Sequence, residues 1–312
     1  MADLVTANDP RQVVVITGCS SGLGRSMAIE FDQQKSYRVF ATARNLESLR
    51  ELPAGIERVQ LDVTDPESIK NAFKQITACT GDRIDILVNN AGVNLAVGPL
   101  IETPIDNIRK TFEANFFGLI AVTQAAVPSM IRRRSGVVVN IGSVAAIACM
   151  PFGAPYSASK SAVHALSDTL RLELGGFGIK VVVVAPGAIK SSIADNTLKN
   201  RSKSTPASSS SSSDTEDLGY LPADSMYKHV EDLVKFRAEF SQQGEPTPSE
   251  TFARNVRKWV GAANPGAYLF TGKKSLTVWI SYYLPTRVKD WIIGRIFQIH
   301  RIGENAHKNK NI

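Results

Sequence analysis

VVVITGCSSGLG, residues 13–24, joins a short apolar strand to a glycine-rich turn and the beginning of a helix. A run of β-branched residues without polar alternation is typical of a parallel strand that is covered on both faces. Glycines let the backbone turn tightly and approach a pyrophosphate, and the helix N-terminus adds amide donors and a favourable dipole. The stretch therefore predicts a dinucleotide-binding turn, and an ordinary tight turn is the alternative.

Further apolar runs follow this strand, and longer helical stretches separate them. The runs are Arg38–Ala43, Glu57–Leu61, Ile84–Asn89, Gly136–Ile141 and Lys180–Ala185, with Ala267–Thr271 as a candidate seventh strand. The helical stretches lie near 23–34, 66–78, 104–133 and 155–175, and later near 225–242 and 249–263. This alternation predicts an α/β fold with a doubly wound parallel sheet and right-handed crossovers. Ligands of such sheets bind beyond the carboxyl ends of the strands.

The composition is that of a globular protein that works in a reducing compartment. The chain has 312 residues, of which 43% are hydrophobic and 21% are charged, so it is able to bury a large core. Its three cysteines form no CxxC pair, which argues against a disulfide framework. The four histidines are not spaced with acids or cysteines as metal ligands are, so no metal is expected.

The net charge of +7 is concentrated at the C-terminal end. Residues 273–312 contain eight Lys/Arg and two Asp/Glu, which gives +6 of the total. No sequence motif of a nucleic-acid-binding element accompanies this charge, so no nucleic-acid partner is expected. Aromatic residues do accompany it, and one helix face would carry Val288, Trp291, Ile292, Ile296 and Ile299. Two interpretations stay open: packing on the protein or on a second copy, and peripheral membrane contact through 276–299.

Three further strand ends carry candidate binding residues. No carboxylate follows the second strand, where one would bind the ribose 2′-hydroxyl of NAD, and Arg44 is instead placed to bind the 2′-phosphate of NADP. Asp62, before Val63, is a candidate acceptor for an adenine amino group, whereas Asp65 fits a helix cap. The fourth strand closes on Asn89-Asn90-Ala91-Gly92, whose small and amide side chains let a ribose or nicotinamide lie close to the backbone.

The acid–base candidates follow the fifth strand. Tyr156 and Lys160 are four residues apart at the beginning of a predicted helix, so they share one face, and Ser143 lies just past the strand. An ammonium group near a phenol favours the phenolate and would lower the pKa of Tyr156 toward the working pH. The alternative for an isolated pair of this kind is a core tyrosine and a solvated lysine.

Taken together, the motifs resemble those of the short-chain dehydrogenase/reductase family over about residues 13–190. The resemblance implies a Rossmann fold, NADPH/NADP as cofactor, Tyr156 as general acid and Lys160 as the group that lowers its pKa and holds the nicotinamide ribose. It also implies that Ser143 orients the carbonyl and that Asn115 positions a water. The cofactor-binding set that it implies is Gly18, Ser20, Ser21, Gly22, Leu23, Gly24, Arg44, Asp62, Val63, Asn89, Ala91, Gly92, Tyr156, Lys160, Pro186, Gly187, Ile189 and Ser191.

Within that family the chain is similar to fungal NADPH-dependent 1-acyldihydroxyacetone-phosphate reductases. The shared features are Pro151-Phe152-Gly153, the sequence Tyr-Ser-Ala-Ser-Lys at 156–160 and the basic aromatic tail. The similarity implies reduction of a lipophilic ketone at the cytoplasmic face of the endoplasmic reticulum or lipid droplets, otherwise in the cytosol, by a homodimer or homotetramer. The alternatives are an NADP-dependent dehydrogenase that oxidises a hydroxyl in secondary-metabolite, steroid or retinoid metabolism, and a non-catalytic NADP-sensing protein.

The resemblance also predicts how the chain is divided. Residues 10–272 form the oxidoreductase domain, within which 187–262 supply a substrate loop and lid helices, and 273–312 form the tail. Residues 200–223, with six serines in a row, are too polar to order themselves and predict a mobile loop. Four basic residues near this loop either hold an anionic head group or are solvated: Lys190, Lys199, Arg201 and Lys203.

Overall fold

The computed structural model describes residues 9–190 and 220–304 and contains one seven-stranded parallel sheet. The strands are β1 (Gln12–Ile16), β2 (Tyr37–Ala43), β3 (Glu57–Gln60), β4 (Ile86–Asn89), β5 (Gly136–Ile141), β6 (Ile179–Pro186) and β7 (Tyr268–Thr271). Their order across the sheet is β3-β2-β1-β4-β5-β6-β7, and every neighbouring pair is parallel. The predicted doubly wound sheet is confirmed, including the seventh strand.

Helices cover both faces of the sheet. They are α1 (Gly22–Asp32), α2 (Pro66–Thr80), α3 (Ile105–Phe112), α4 (Gly118–Arg133), α5 (Ala154–Gly175), α6 (Glu231–Glu239), α7 (Ser249–Val260), α8 (Ser275–Tyr282), α9 (Thr286–Ile296) and α10 (Arg301–Glu304). A π-helical turn, Glu113–Phe117, joins α3 to α4. Residues 191–219 lie outside the described residues, and they contain most of the predicted loop 200–223 and three of the four basic residues near it.

Two apolar clusters, one on each face, explain why the strands lack polar alternation. Val14 and Ile16 of β1 point toward α1 and α7, whereas Val13 and Val15 point toward α2 and α4. Both side-chain sets are buried, so a strand of this sheet has no solvent-facing side. The helix α7, which falls in the predicted lid region, belongs to the first cluster and covers the sheet instead of the cavity.

The longest helical stretch is a core element. Within the described residues, only Ile105–Arg133 is long and apolar enough to cross a membrane by length and composition. Val122, Ala126 and Met130 of α4 are fully buried against the sheet. Their burial is the ordinary reason for an apolar helix in a doubly wound fold.

The tail packs on α6 through a small set of contacts. Phe297 is 1% exposed, and its ring lies 5.4 Å from that of Phe236 and 5.2 Å from that of Phe240. Arg301 forms an ion pair of 2.7 Å with Asp232. The predicted apolar face is left uncovered by the described chain, since Val288, Trp291, Ile296 and Ile299 are each at least 40% exposed.

Candidate active site

The turn after β1 needs glycine at two positions for different reasons. Gly18 has φ +71°, and a Cβ there would lie 2.8 Å from the Cα of Ala91. A Cβ on Gly24 would lie 2.3 Å from the carbonyl oxygen of Gly18, so Gly24 lets α1 begin directly against the turn. Asn90 fixes the same turn, because its Nδ2 donates to the carbonyls of Thr17 at 2.8 Å and Gly18 at 3.1 Å.

A cavity of about 590 Å³ opens at the carboxyl ends of the strands. Its volume is in the range of small-molecule and cofactor sites. The structure brings together in its wall these predicted residues: Gly18, Ser20, Ser21, Gly22, Leu23, Arg44, Asp62, Val63, Ala91, Gly92, Ser143, Tyr156, Lys160, Pro186, Gly187 and Ile189. Gly24, Asn89 and Asn115 do not line it, and Ser191 lies outside the described residues.

The side chain of Asn89 has a structural role, and its predicted place in the cofactor site stays a prediction. Its side chain is 4% exposed, and its Nδ2 donates to Thr123 Oγ1 and to Asn140 Oδ1, both at 2.9 Å. Successive residues of a strand point to opposite sides. At the end of β4, the side chain of Asn89 therefore points into the core, whereas Asn90 lines the cavity.

Arg44 and Asp62 lie at the mouth of the cavity. Arg44 is exposed and forms no ion pair with any of the residues that the structure describes. Its guanidinium is thus available to a phosphate, which it would bind with two parallel hydrogen bonds. Asp62 Oδ1 accepts from the Thr64 amide at 2.9 Å and from its hydroxyl at 2.8 Å. This local turn orients the carboxylate at the cavity wall.

Ser143 and Tyr156 meet in the inner part of the cavity. Ser143 follows β5, and its Oγ accepts from the amide of Ala145 at 3.0 Å. That bond occupies an acceptor position and leaves the hydroxyl proton of Ser143 free to donate. Tyr156 lies in the first turn of α5 and is hydrogen-bonded to Ser143 through its side chain.

The predicted effect of Lys160 on the pKa of Tyr156 stays a prediction, and the contacts of the two side chains are as follows. Burial raises the pKa of Tyr156, and the contributions that lower it come from the hydrogen bond with Ser143 and the positive charge of Arg237. Lys160 Nζ lies 5.9 Å from the centroid of the tyrosine ring and donates to the carbonyl of Ile141 at 2.7 Å. Burial lowers the pKa of Lys160 itself to about 8.

His164 holds the backbone at Ser143, a role that the sequence did not suggest. Its Nε2 accepts from the Ser143 amide at 3.3 Å, which requires the neutral ring. Burial and, to a lesser extent, the nearby charge of Lys160 together lower the pKa of His164 to about 4. A Cβ on Gly142 would lie 2.2 Å from Nε2, so the glycine before Ser143 makes room for this contact.

Asn115 lies in the π-helical turn and is 1% exposed. Its Oδ1 accepts from the Val93 amide at 2.7 Å, and its Nδ2 donates to the Val93 carbonyl at 2.9 Å and to Ser159 Oγ at 3.0 Å. The side chain therefore fixes the backbone after β4 beside the cavity. The predicted water-positioning role of Asn115 stays a prediction. Turns of this π-helical type are frequent at functional sites.

The segment after β6 forms the wall opposite the glycine turn. Gly187 is required there, because a Cβ would lie 2.2 Å from the carbonyl oxygen of Lys273. Ala188 pairs with Lys273 across this contact, and Ile189 is 4% exposed. The residues predicted to line the nicotinamide side thus form a close-packed apolar wall.

Arg237 of α6 also lines the cavity, and no sequence motif marks it. It is 8% exposed. Sequence reasoning missed it because α6 is distant in sequence from the glycine turn and from Tyr156. Only the packing of α6 brings Arg237 to the cavity.

The residues present fit a dinucleotide. The glycine turn offers backbone without side-chain obstruction at the beginning of α1, and the lining continues from Arg44 and Asp62 to Tyr156 and Lys160. Turn, helix N-terminus and topological switch point coincide in this sheet, as in the known dinucleotide sites of such folds. No group of three or more His, Cys, Asp or Glu that could hold a metal ion occurs in residues 9–190 and 220–304.

Comparisons with known proteins agree with this geometry. Residues 12–202 match the short chain dehydrogenase family. The chain is 33% identical over 296 residues to short-chain dehydrogenase cctT of Talaromyces islandicus, across 94% of this chain and 97% of that protein. It is 35% identical over 187 residues to the NADPH-dependent 1-acyldihydroxyacetone phosphate reductase of Schizosaccharomyces pombe, across 59% of this chain and 62% of that enzyme. The closed form of serine dehydrogenase complexed with NADP+ superposes with a TM-score of 0.68 at 25% identity, across 84% of this chain and 94% of that chain.

Proposed function

The chain belongs to the short-chain dehydrogenase/reductase family, and we propose that it reduces a lipophilic ketone to a secondary alcohol with NADPH. One observation carries the proposal: Ser143, Tyr156 and Lys160 line the same cavity as the glycine-rich turn. A nucleotide sensor needs the turn and Arg44 but has no use for the acid–base residues. Their presence in one cavity therefore favours an enzyme.

NADPH is the better cofactor for the charges at the mouth of the cavity. Arg44 directly follows β2, and its guanidinium is exposed. No carboxylate lies at this position to repel a 2′-phosphate. The names of two compared proteins, an NADPH-dependent reductase and an NADP+ complex, support the same cofactor for this chain. The glycine turn, Arg44 and Asp62 would hold the nucleotide, and Lys160 would hold the ribose next to the nicotinamide.

The protein residues supply the proton and orient the ketone. Bound NADPH provides the hydride for the carbonyl carbon. Tyr156 gives its proton to the ketone oxygen as that oxygen gains negative charge. Ser143 donates its hydroxyl hydrogen bond to the same oxygen, while its Oγ accepts from the Ala145 amide. Lys160, with a pKa of about 8, is suited to resupply the proton through a water near Asn115.

The substrate class follows from the cavity and from one relative. The cavity wall includes the apolar residues Pro186, Ile189 and Phe240. The relative from Schizosaccharomyces pombe is a reductase of 1-acyldihydroxyacetone phosphate, which combines a ketone, an acyl chain and a phosphate. We propose a substrate of this kind for the chain.

We further propose peripheral membrane contact through 276–299, at the endoplasmic reticulum or at lipid droplets. Leu276, Ile280, Tyr283 and Trp291 are exposed on α8, α9 and the segment between them. Basic residues of the same segment include Arg287, Lys289 and Arg295. Exposed aromatic and aliphatic side chains next to cations suit the surface of an anionic membrane. A homodimer or homotetramer stays a prediction.

The experiment that tests the proposed function compares both directions of the reaction with purified protein. NADPH consumption is followed with 1-acyldihydroxyacetone phosphate, and NADP+ reduction with the matching alcohol. We expect the ketone to be reduced, and NADH to be a much poorer cofactor. Alcohol oxidation alone would favour a dehydrogenase of secondary-metabolite, steroid or retinoid type. Tight NADPH binding without turnover over a broad panel would contradict an enzyme.

A further inference from the structure

Packing of α6 directs one arginine into the cavity. Leu233 and Val234 are buried in a cluster with Phe152, which lies just before α5. Arg237 follows them by four and three positions, so it lies on the same face of α6. The apolar contact thus fixes where the guanidinium is held, at the cavity wall beside Tyr156.

This guanidinium is buried without a compensating partner. Arg237 is 8% exposed, and its Nε has no hydrogen-bond partner. Within residues 9–190 and 220–304 no carboxylate forms an ion pair with it, including Glu239, which lines the same cavity. A buried, unpaired charge is costly, and proteins compensate such charges with ions or hydrogen bonds.

The surroundings of Arg237 increase that cost. A Cβ on Gly153 would lie 2.6 Å from Arg237 Nη2, so the guanidinium lies against the residue that precedes α5. The N-terminus of a helix carries positive partial charge. A cation and the positive end of a 22-residue helix therefore meet at one place, where an anion would be stabilised by both.

The other cations of the cavity are engaged elsewhere. Lys160 donates to the Ile141 carbonyl at 2.7 Å, and Lys273 donates to the Gly244 carbonyl. Lys274 Nζ lies 5.1 Å from the centroid of the Phe240 ring. Arg44 is exposed at the end of β2, where the nucleotide is proposed to bind. Among the described cations of the cavity, Arg237 is thus the buried one beside Tyr156 that has no anionic partner.

We propose that Arg237 binds an anionic group, a phosphate or a carboxylate, which the substrate carries close to the ketone that is reduced. The inference rests on the proposed reductase function and adds the residue that selects among ketones. A substrate anion next to Arg237 places the adjacent carbonyl near Tyr156, and a neutral ketone leaves the buried charge uncompensated. The cavity therefore discriminates by charge as well as by apolar fit.

The test uses two substrates that differ only in the anion. Wild type, Arg237→Met and Arg237→Lys are compared on 1-acyldihydroxyacetone phosphate and on the same ketone without its phosphate. We expect Arg237→Met to lower kcat/KM for the phosphorylated ketone by roughly 10- to 100-fold, mainly through KM. On the neutral ketone Arg237→Met should lose much less, so that the ratio of kcat/KM for the phosphorylated to the neutral ketone falls by roughly 10-fold or more, and Arg237→Lys should give an intermediate ratio. Lys235→Met, at an exposed cation of the same helix, is the matched control and should change neither substrate.

Several results would overturn the proposal. Equal losses on both ketones would mean that Arg237 acts on Tyr156 through its charge alone. Weaker NADPH binding in Arg237→Met, with the substrate ratio unchanged, would assign the guanidinium to a cofactor phosphate. A folding defect is recognised from the melting temperature, and Arg237→Lys then provides the comparison.

Ligand binding to the NADP+-loaded protein separates this inference from the proposed function. If wild type reduces only neutral ketones, the reductase assignment holds and the role of Arg237 is wrong. If wild type binds the phosphorylated ketone, loses that binding in Arg237→Met and reduces neither ketone, the anion site holds and the reductase assignment is wrong. If neither ketone is bound or reduced, both are wrong.

Discussion

The two walls of the cavity are built in opposite ways. On the wall formed by the strand ends, Ser143 and Lys160 have hydrogen bonds to the backbone of neighbouring elements. On the wall formed by α6 and the beginning of the tail, Arg237 is buried and its Nε has no hydrogen-bond partner; farther along the tail, outside the cavity lining, Trp291 is 63% exposed. The first wall is complete by itself and suits chemistry that needs fixed geometry. The second has unsatisfied groups and suits recognition of ligands that complete it.

The strongest test of this difference removes one oxygen from the first wall. Tyr156→Phe deletes the proton donor and keeps the ring packed, so we expect kcat to fall by ~10²–10⁴-fold. The dissociation constant of NADPH should change little, because the glycine turn and Arg44 are untouched. Steady-state rates and NADPH fluorescence titration measure the two quantities. A loss of less than about tenfold in kcat would speak against Tyr156 as general acid.

Arg44→Asp tests the mouth of the same wall. The exposed guanidinium is replaced by a carboxylate that repels the 2′-phosphate and accepts from a 2′-hydroxyl. We expect NADPH binding to weaken by roughly 10²-fold and NADH binding to change by much less. Arg50→Asp, at another exposed arginine nearby in the chain, is the control. Equal weakening of both cofactors would contradict the assignment.

The pH dependence of stability tests how firmly the first wall is fixed. The unfolded chain protonates histidine near pH 6.5, whereas the folded pKa of His164 is lowered to about 4. The stability from neutral His164 is therefore fully present above pH 6.5 and is lost as the pH falls toward 4. Linkage gives a loss of about 3 kcal/mol across that window.

His164→Gln provides the reference for this measurement. Urea unfolding at pH 6.5 and pH 4.5 should show a smaller drop in the free energy of unfolding for the variant than for wild type. A drop of the same size in both proteins would mean that other groups cause the acid sensitivity.

The smallest effect on folding is expected at the exposed face of the tail, which continues from the second wall. Trp291→Ser should change the free energy of unfolding by less than about 0.5 kcal/mol, because most of the side chain is exposed to solvent. It should nevertheless weaken binding to vesicles that contain anionic phospholipid. Phe297→Ala, at a buried ring of the same segment, should instead destabilise the contact with α6 by about 3 kcal/mol.

Co-sedimentation with vesicles and size-exclusion chromatography measure the two outcomes. If Trp291→Ser leaves vesicle binding unchanged but dissociates an oligomer, a second copy of the chain covers this face. That result would remove the membrane from the proposal.

The sequence predicts the first wall better than the second, for a physical reason. The glycine turn, Tyr156 and Lys160 are recognisable because residues a few positions apart must meet at a turn or on one helix face. Arg237 is placed by packing between α6 and Phe152, which only the tertiary structure shows. The packing of α7 on the sheet is likewise visible only in the tertiary structure.

Within the first wall, sequence reasoning is least informative where the register of one residue or the burial of a side chain decides. Asn89 and Asn90 are the same amide, and only the alternation at the end of β4 shows which one faces the cavity. The lysine that was expected to lower the pKa of Tyr156 is present, but burial of the phenol outweighs charge effects. Sequence spacing identifies neighbours and gives no measure of desolvation.

The reaction itself is the most direct test of the account. Purified protein is incubated with limiting NADPH and excess 1-acyldihydroxyacetone phosphate, and both NADP+ and the secondary alcohol are quantified. The account predicts equal amounts of the two products and no alcohol with Tyr156→Phe on the same time scale. NADPH consumption without alcohol, or alcohol formation at the wild-type rate in Tyr156→Phe, would contradict it.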